Sequence, residues 1–223
     1  RRQGVPEECR SAYQCYEFHK VYHILNQFVP VALSSLYIAI PKDRMYRDAP
    51  SPPRRRATQA AMREIFEALC RLLAPILALT AEEAWSYLGV AGSVHLQLFP
   101  EPRAAARDTL VREEIEELLK LRGLIGQAIE KARQDKLIGN ALEATVTLSC
   151  DLRLATAFPG EELEEFFILS DLKLETAAEP SATVARTTYE KCARCWRHRA
   201  AVGTIAAHPD LCERCAEVVE ASA

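Results

Sequence analysis

Four cysteines near the end of the chain stand as Cys192, Cys195, Cys212 and Cys215, in the pattern C-x2-C-x16-C-x2-C. That spacing suits a tetrahedral four-thiolate zinc site, each C-x2-C pair forming one knuckle and the intervening loop closing the tetrahedron. A closed thiolate shell leaves no coordination position for a substrate, so the expected metal is one structural zinc per chain. A segment this short buries too little to fold alone, and metal capture supplies on the order of 10 kcal/mol. His198 and His208 lie in the same loop as alternative ligands, but four cysteines already complete the site and the histidines are expected to face solvent. Trp196 follows the second cysteine directly, with Lys191, Arg194, Arg197, His198 and Arg199 around it. An exposed indole ringed by cations is a stacking platform for an unpaired base. The same ring could also simply cover the knuckle or dock on a neighbouring unit.

A second cluster is IPKDRMY, Ile40 to Tyr46, followed after a Pro-rich loop by Arg54, Arg55 and Arg56. Lys42, Arg44 and Arg47 at the end of a helix complement its dipole. Together with the triple arginine they form a phosphate-binding patch. Asp43 is expected to pair with a nearby arginine and position it. Catalytic signatures are missing. The sequence has no G-x-x-x-x-G-K-[ST] loop, no G-x-G-x-x-G fingerprint and no Ser/His/Asp or Cys/His set. The carboxylates of EELEE, 161–165, read as a solvated helix face.

The elements that position these groups are mainly helical. Apolar residues recurring by three and four from Tyr13 to Ile40 predict a long amphipathic helix, kinked at Pro30. A second helix is expected from about Arg56 to Leu73, and a third opens with a Thr80/Glu83 capping box and runs through Trp85 and Leu88. These three make a bundle. Pro100 and Pro102 mark a linker. A long helix from Asp108 to Lys136 carries Val111, Ile115, Leu118, Ile125, Ile129 and Ala132 on one face. Glu143 to Ser149 alternates as a half-buried strand, Pro159-Gly160 opens a short acidic helix, and Ile168 to Glu175 reads as another strand. Glu175 to Val184 is expected to be a flexible joiner. The expected fold is therefore mainly α: a helical bundle over 1–100, a small α+β unit over 101–184 and a four-cysteine zinc finger over 185–223.

Charge is unevenly spread over the 223 residues, whose formal total is −3. Basic segments at 1–56 and 186–199 flank an acidic stretch at 137–185, so a polyanion such as RNA can bind although the whole is not basic. The cysteines outside the zinc pattern, Cys9, Cys15, Cys70 and Cys150, are scattered, which suits a reduced, cytoplasmic compartment. No signal peptide opens the chain and no eighteen-residue apolar run stands in it, so no membrane partner is expected. The chain lacks an initiator Met and reads as the tail of something longer.

Taken together, these segments resemble the C-terminal part of bacterial-type isoleucyl-tRNA synthetases, class I aminoacyl-tRNA synthetases. The resemblance rests on YEFHKVYHILNQFVPVALSSLYIAIPKDRMY, RRRATQAAMREIFEALCRLLAPILALTAEEAW, EKARQDKLIGNALEATVTL, FFILSDLKL and the finger KCARCWRHRAAVGTIAAHPDLCERCAEVV, in that order. Three places depart from the family pattern: Ala32 replaces an Asp, Pro41 directly precedes KDR, and Pro30 is unusual. The resemblance implies an anticodon-binding domain over 1–100, a junction domain, and a zinc finger that clasps the anticodon end of the tRNA. It implies Cys192, Cys195, Cys212 and Cys215 as zinc ligands, and Lys42, Arg44, Arg54, Arg55 and Trp196 as tRNA contacts, to which the charge pattern adds Arg56, Arg194 and Arg197. The implied partners are the anticodon stem-loop of tRNA(Ile) and the rest of a monomeric synthetase. ATP and Mg²⁺ would serve only the catalytic part, whose HIGH and KMSKS signatures are absent here. Two rivals remain from the residues alone: a nucleic-acid-binding fragment like that of a zinc-finger DNA-repair glycosylase, and an interaction module with no RNA role.

Overall fold

The computed structural model describes residues 4–50, 52–101, 109–151, 153 and 158–221. The expected linker residue Pro102 and helix start Asp108 lie outside them, as does the side chain of Val111. The chain divides into two compact units. The first comprises Arg1–Ala39 and Ser51–Arg107, the second Ile40–Pro50 and Asp108–Ala223. The expected α+β unit and zinc finger thus share one unit, and the stretch Ile40–Pro50 joins them although the chain on both sides of it belongs to the bundle.

The first unit opens with α1, Val5–Gln14, started by Pro6 in its first turn. The chain then reverses through Tyr16, whose φ of 58° is left-handed, before α2, Phe18–Gln27. The single helix expected from Tyr13 is therefore two helices with a break that apolar spacing does not announce. A π-helix, Phe28–Ile38, continues α2. Pro30 lacks an N–H and its ring crowds the carbonyl four residues back, and the chain here adopts the wider i→i+5 register rather than a simple kink. The run Phe18–Ile38 is long and apolar enough to cross a membrane by length and composition. His19, Lys20, His23, Asn26 and Gln27 interrupt it, so the expectation of no continuous eighteen-residue apolar run is unaffected.

Helix α4, Pro53–Leu73, begins with Pro at its first position, where the missing N–H costs nothing. Helix α5, Ala78–Ser86, starts before Thr80 and has no side-chain cap. The expected Thr80 capping box is thus absent, because Thr80 already lies inside the first turn. Glu82 instead reaches out of the helix to accept from the Ser93 hydroxyl and the Val94 N–H. Cys9, Ala12, Val21, Leu25 and Leu72 form one core, which the Tyr13 hydroxyl locks by donating to the Leu72 carbonyl at 2.7 Å. Cys70, Ala74, Ala81, Trp85 and Val94 form another.

The second unit is built on a three-stranded sheet of order β2-β1-β3. Strand β1, Ala144–Cys150, is central and alternates buried with half-buried residues as its sequence predicts. Strand β2, Asp171–Thr176, runs parallel to it. It starts later than expected because Ile168 is consumed as the left-handed C-cap of the preceding helix. Strand β3, Ser181–Arg186, pairs antiparallel to β1 with Val184 opposite Val146. Ser181 to Val184 of the stretch expected to be a flexible joiner thus belong to an edge strand. Helix α6, Thr109–Gln134, lays Leu118, Leu121, Ile125 and Ala132 against Val146 and Leu148. Helix α7, Gly160–Phe167, joins the same core through Leu163 and Phe167. Its Glu164 and Glu165 are buried, which corrects the expectation of a solvated acidic face. Helix α3, Lys42–Arg47, is the short helix of the Ile40–Pro50 stretch, and α8, Glu213–Glu220, closes the chain.

Candidate metal centre and nucleic-acid interface

The sulfur atoms of Cys192, Cys195, Cys212 and Cys215 all lie within 4.8 Å of one another, and all four residues are buried. A zinc tetrahedron with 2.3 Å arms has S···S edges of roughly 3.8 Å. The Cys195–Cys212 sulfurs stand 3.7 Å apart. The donor set therefore fits a structural zinc held by these four residues, with thiolate binding favoured over carboxylate-seeking metals.

The local chain explains the gathering. In the first knuckle the Trp196 N–H donates to the Cys192 carbonyl and the Cys192 N–H to that of Arg197, both at 2.9 Å. The turn requires a left-handed residue, and Trp196 takes it with φ 67°. The Ala193 N–H donates to the Asp210 carbonyl, tying the two knuckles together. In the second knuckle Cys212 is the N-cap of α8 and its N–H points at the Cys192 sulfur at 3.4 Å. The Arg194 guanidinium, 3.6 Å from the Cys215 sulfur, places a positive charge beside the thiolate cluster that a metal needs. His198 is engaged elsewhere. Its N–H donates to Ser170 Oγ and its Nδ1 contacts the Tyr189 carbonyl.

The basic residues fall into two groups. Arg44, Arg194 and Arg197 are drawn inward. Arg44 makes a two-pronged pair with Glu165, at 3.0 and 2.6 Å. Arg194 donates to the Arg47 carbonyl at 2.6 Å and approaches the Cys215 sulfur at 3.6 Å. Arg197 is only 8% exposed and lies between Asp43 at 3.7 Å and Glu164 at 3.9 Å. Arg199 holds the other side of Glu164 at 2.6 Å. Arg44, Arg197 and Arg199 thus face carboxylates of their own unit, and Arg194 a backbone carbonyl and a cysteine sulfur.

Asp43 and Arg214 were not singled out together by sequence. Arg214 nevertheless grips Asp43 with both ends of its fork and stands 3.5 Å from Asp48. Burial alone would raise the Asp43 carboxyl, but the hydrogen bond and charge of Arg214, backed by Arg197 and Arg47, hold it below the usual carboxylate value. One signal was available in the sequence: both knuckles read C-x-R-C, with arginine at the third position.

The second group faces outward. Trp196 is 55% exposed. The Arg47 guanidinium lies 5.5 Å and the Lys191 ammonium 5.3 Å from the indole ring centre, within cation–π range. Lys42 is exposed on α3. In the first unit, Arg54, Arg55 and Arg56 occupy the first turn of α4, a turn whose own sequence holds no Asp or Glu, and Arg54 and Arg56 are exposed.

Residues 2–148 match the family described as the anticodon-binding domain of tRNA ligase. The chain belongs to that family. The run Phe18–Ile38 lies wholly inside the matched region. Residues 190–218 match a second family, the zinc finger found in FPG and IleRS, which contains all four cysteines. The chain is also similar to curated proteins named isoleucine--tRNA ligase. It is 40% identical to the one from Symbiobacterium thermophilum, over 98% of this chain and 26% of that protein. It is 37% identical to the one from Methylacidiphilum infernorum, over 96% of this chain and 24% of that protein. It is 40% identical to the one from Gluconobacter oxydans, over 95% of this chain and 22% of that protein. This anticodon-binding-domain chain therefore spans about a quarter of the length of the relatives it matches.

Proposed function

We infer that this chain is the tRNA-recognition portion of an isoleucine–tRNA ligase. The observation that carries this reading is the end-to-end similarity to ligases of that name, with an anticodon-binding domain and a zinc finger in the same chain. The tRNA would be tRNA(Ile), held by its anticodon stem-loop, in a monomeric cytoplasmic enzyme. ATP and Mg²⁺ would act in the remaining three-quarters, where isoleucine is joined to the tRNA. The bundle would form the anticodon-binding domain, the sheet the junction domain, and the finger a clasp.

Two surfaces have the chemistry this work needs. Trp196 offers an exposed ring beside Arg47 and Lys191, a combination on which an unpaired base stacks while its phosphate meets a cation. Three arginines in the first turn of α4 oppose the helix dipole, which favours anions there by about 0.3–1 kcal/mol per charge. A phosphate bound at that end would turn this cost into affinity. The finger family is shared with FPG, but the anticodon-domain match favours RNA over damaged DNA.

The test exchanges Arg54, Arg55 and Arg56 for Ala and measures tRNA binding against salt. The slope of log affinity on log salt should fall by roughly 0.7–0.9 for each phosphate that the variant no longer neutralises. An unchanged slope removes the first turn of α4 from the interface.

A further inference from the structure

The arginines inside the two knuckles reach the same short segment. Arg194 lies between Cys192 and Cys195, and Arg214 between Cys212 and Cys215. Arg194 donates to the carbonyl of Arg47, the last residue of α3. Arg214 grips Asp43 in the first turn of α3 with both fork nitrogens and stands 3.5 Å from Asp48 just beyond its end. Arg197, following the first knuckle, adds a third guanidinium 3.7 Å from Asp43. The finger therefore holds both ends of a six-residue helix.

Alone, a helix this short is unstable in water, because nucleation costs more than so few hydrogen bonds return. Nothing within α3 compensates, since none of its residues is buried. What grips it includes the knuckle arginines and the Arg44–Glu165 pair. The knuckle arginines in turn are placed by the backbone between paired cysteines, and that backbone is closed by gathering four sulfurs within 4.8 Å. Four thiolates around one Zn²⁺ carry a net charge of −2, which also favours keeping Arg194 and Arg214 beside them.

We propose that capture of Zn²⁺ and ordering of the Ile40–Pro50 segment are one coupled event, transmitted by Arg194 and Arg214, with Asp43 as the receiving residue. In this role Asp43 is a positioning residue: it acts through Arg214 and Arg197. The coupling sets Arg47 against the Trp196 ring, so the cationic–aromatic surface exists in full only in the metal-loaded protein. Coupling is reciprocal, so the segment must tighten the metal by the same factor by which the metal orders the segment.

Two measurements on the full chain test this, and neither uses RNA, so their outcome is independent of the tRNA reading. The first is amide hydrogen exchange before and after removal of Zn²⁺ with a chelator. Exchange over 42–48 should accelerate at least about tenfold, while α4 and strand β1 keep their protection. The second is Zn²⁺ affinity by competition with a chromophoric chelator. Asp43→Asn should weaken it about five- to tenfold, and Arg214→Lys, which keeps the charge but loses the fork, by less. If exchange over 42–48 is unchanged by chelation, the proposal is wrong. It is equally wrong if Asp43→Asn binds Zn²⁺ within twofold of the unaltered chain. Should Asp43→Asn not yield folded protein, the exchange experiment on the unaltered chain decides alone.

Discussion

Replacing Arg44 measures what its ion pair with Glu165 contributes to the second unit. Its guanidinium makes two parallel bonds to Glu165, whose side chain is only 4% exposed, while that of Arg44 is 25% exposed. Removing one partner of a buried ion pair costs about 3–5 kcal/mol, because the other charge stays in a poorly solvating site. The partial exposure of Arg44 lets water reach the carboxylate once the fork is gone, so Arg44→Met should cost about 2–4 kcal/mol at this site. With a urea dependence of about 2 kcal/mol per molar, the transition midpoint should fall by about 1–2 M. The double substitution Arg44→Met with Glu165→Leu removes both charges and should recover most of that loss. The assay is urea unfolding of the two single variants and the double variant, read by circular dichroism and by exchange at the β1 amides, then closed as a double-mutant cycle. Transfer RNA affinity of the double variant, at a urea-free condition where it is folded, should stay within about twofold. A cycle with coupling near zero would falsify the buried pair. A stable double variant that no longer binds RNA would return Arg44 to the interface.

Two further outcomes can be checked with simple variants. Trp196→Ala should weaken binding of anticodon-loop RNA by about 1–3 kcal/mol, or about 5- to 160-fold, at full zinc content. Trp196→Gly should bind RNA equally poorly yet melt higher than Trp196→Ala, since glycine relieves a left-handed backbone that costs other residues about 1 kcal/mol; loss of zinc in either variant would mark the ring as structural. In the first unit, burial, with the Glu8 charge, pushes the Cys9 thiol up to about 11, and burial, with Cys9 beside it, raises Tyr13 to about 12. The unfolded chain then releases these protons first, so stability is intact below about pH 9 and declines as pH rises toward about 11. Thermal melts across that range should show the decline, and Cys9→Ala should flatten its first part; an identical pH profile in that variant would rule Cys9 out as the source.

The metal centre was legible because its signal is local: two cysteine pairs at a spacing with few other uses. Strand β1 was legible because one buried face enforces alternation from Ala144 to Cys150. The break at Tyr16 was not, because a left-handed φ at a tyrosine has no compositional mark. Strand β3 was hidden in a short stretch rich in Ala, Ser and Thr that gains its identity only by pairing with β1. The partners of Arg44, Arg194 and Arg214 were hidden for another reason, although the shared C-x-R-C pattern marks the last two as a pair. These partners lie 121, 147 and 171 positions away, and a cation's sequence neighbours do not reveal whether it faces a phosphate or a buried carboxylate. The acidic helix α7 misled in the same way, since EELEE reads as solvated until Arg44 and Arg199 are placed beside it.

The twin arginines of the knuckles bear on how such fingers can be exchanged. Asp43 and Arg214 are encoded 171 positions apart, so a recombination breakpoint anywhere between them separates the pair. A chimera that imports a finger from a homologue inherits a working metal box yet fits its new host only if both C-x-R-C arginines arrive together and the recipient supplies an acid at position 43. Interchangeability of these zinc-binding tails is therefore governed less by their four cysteines than by two side chains that never touch the ion.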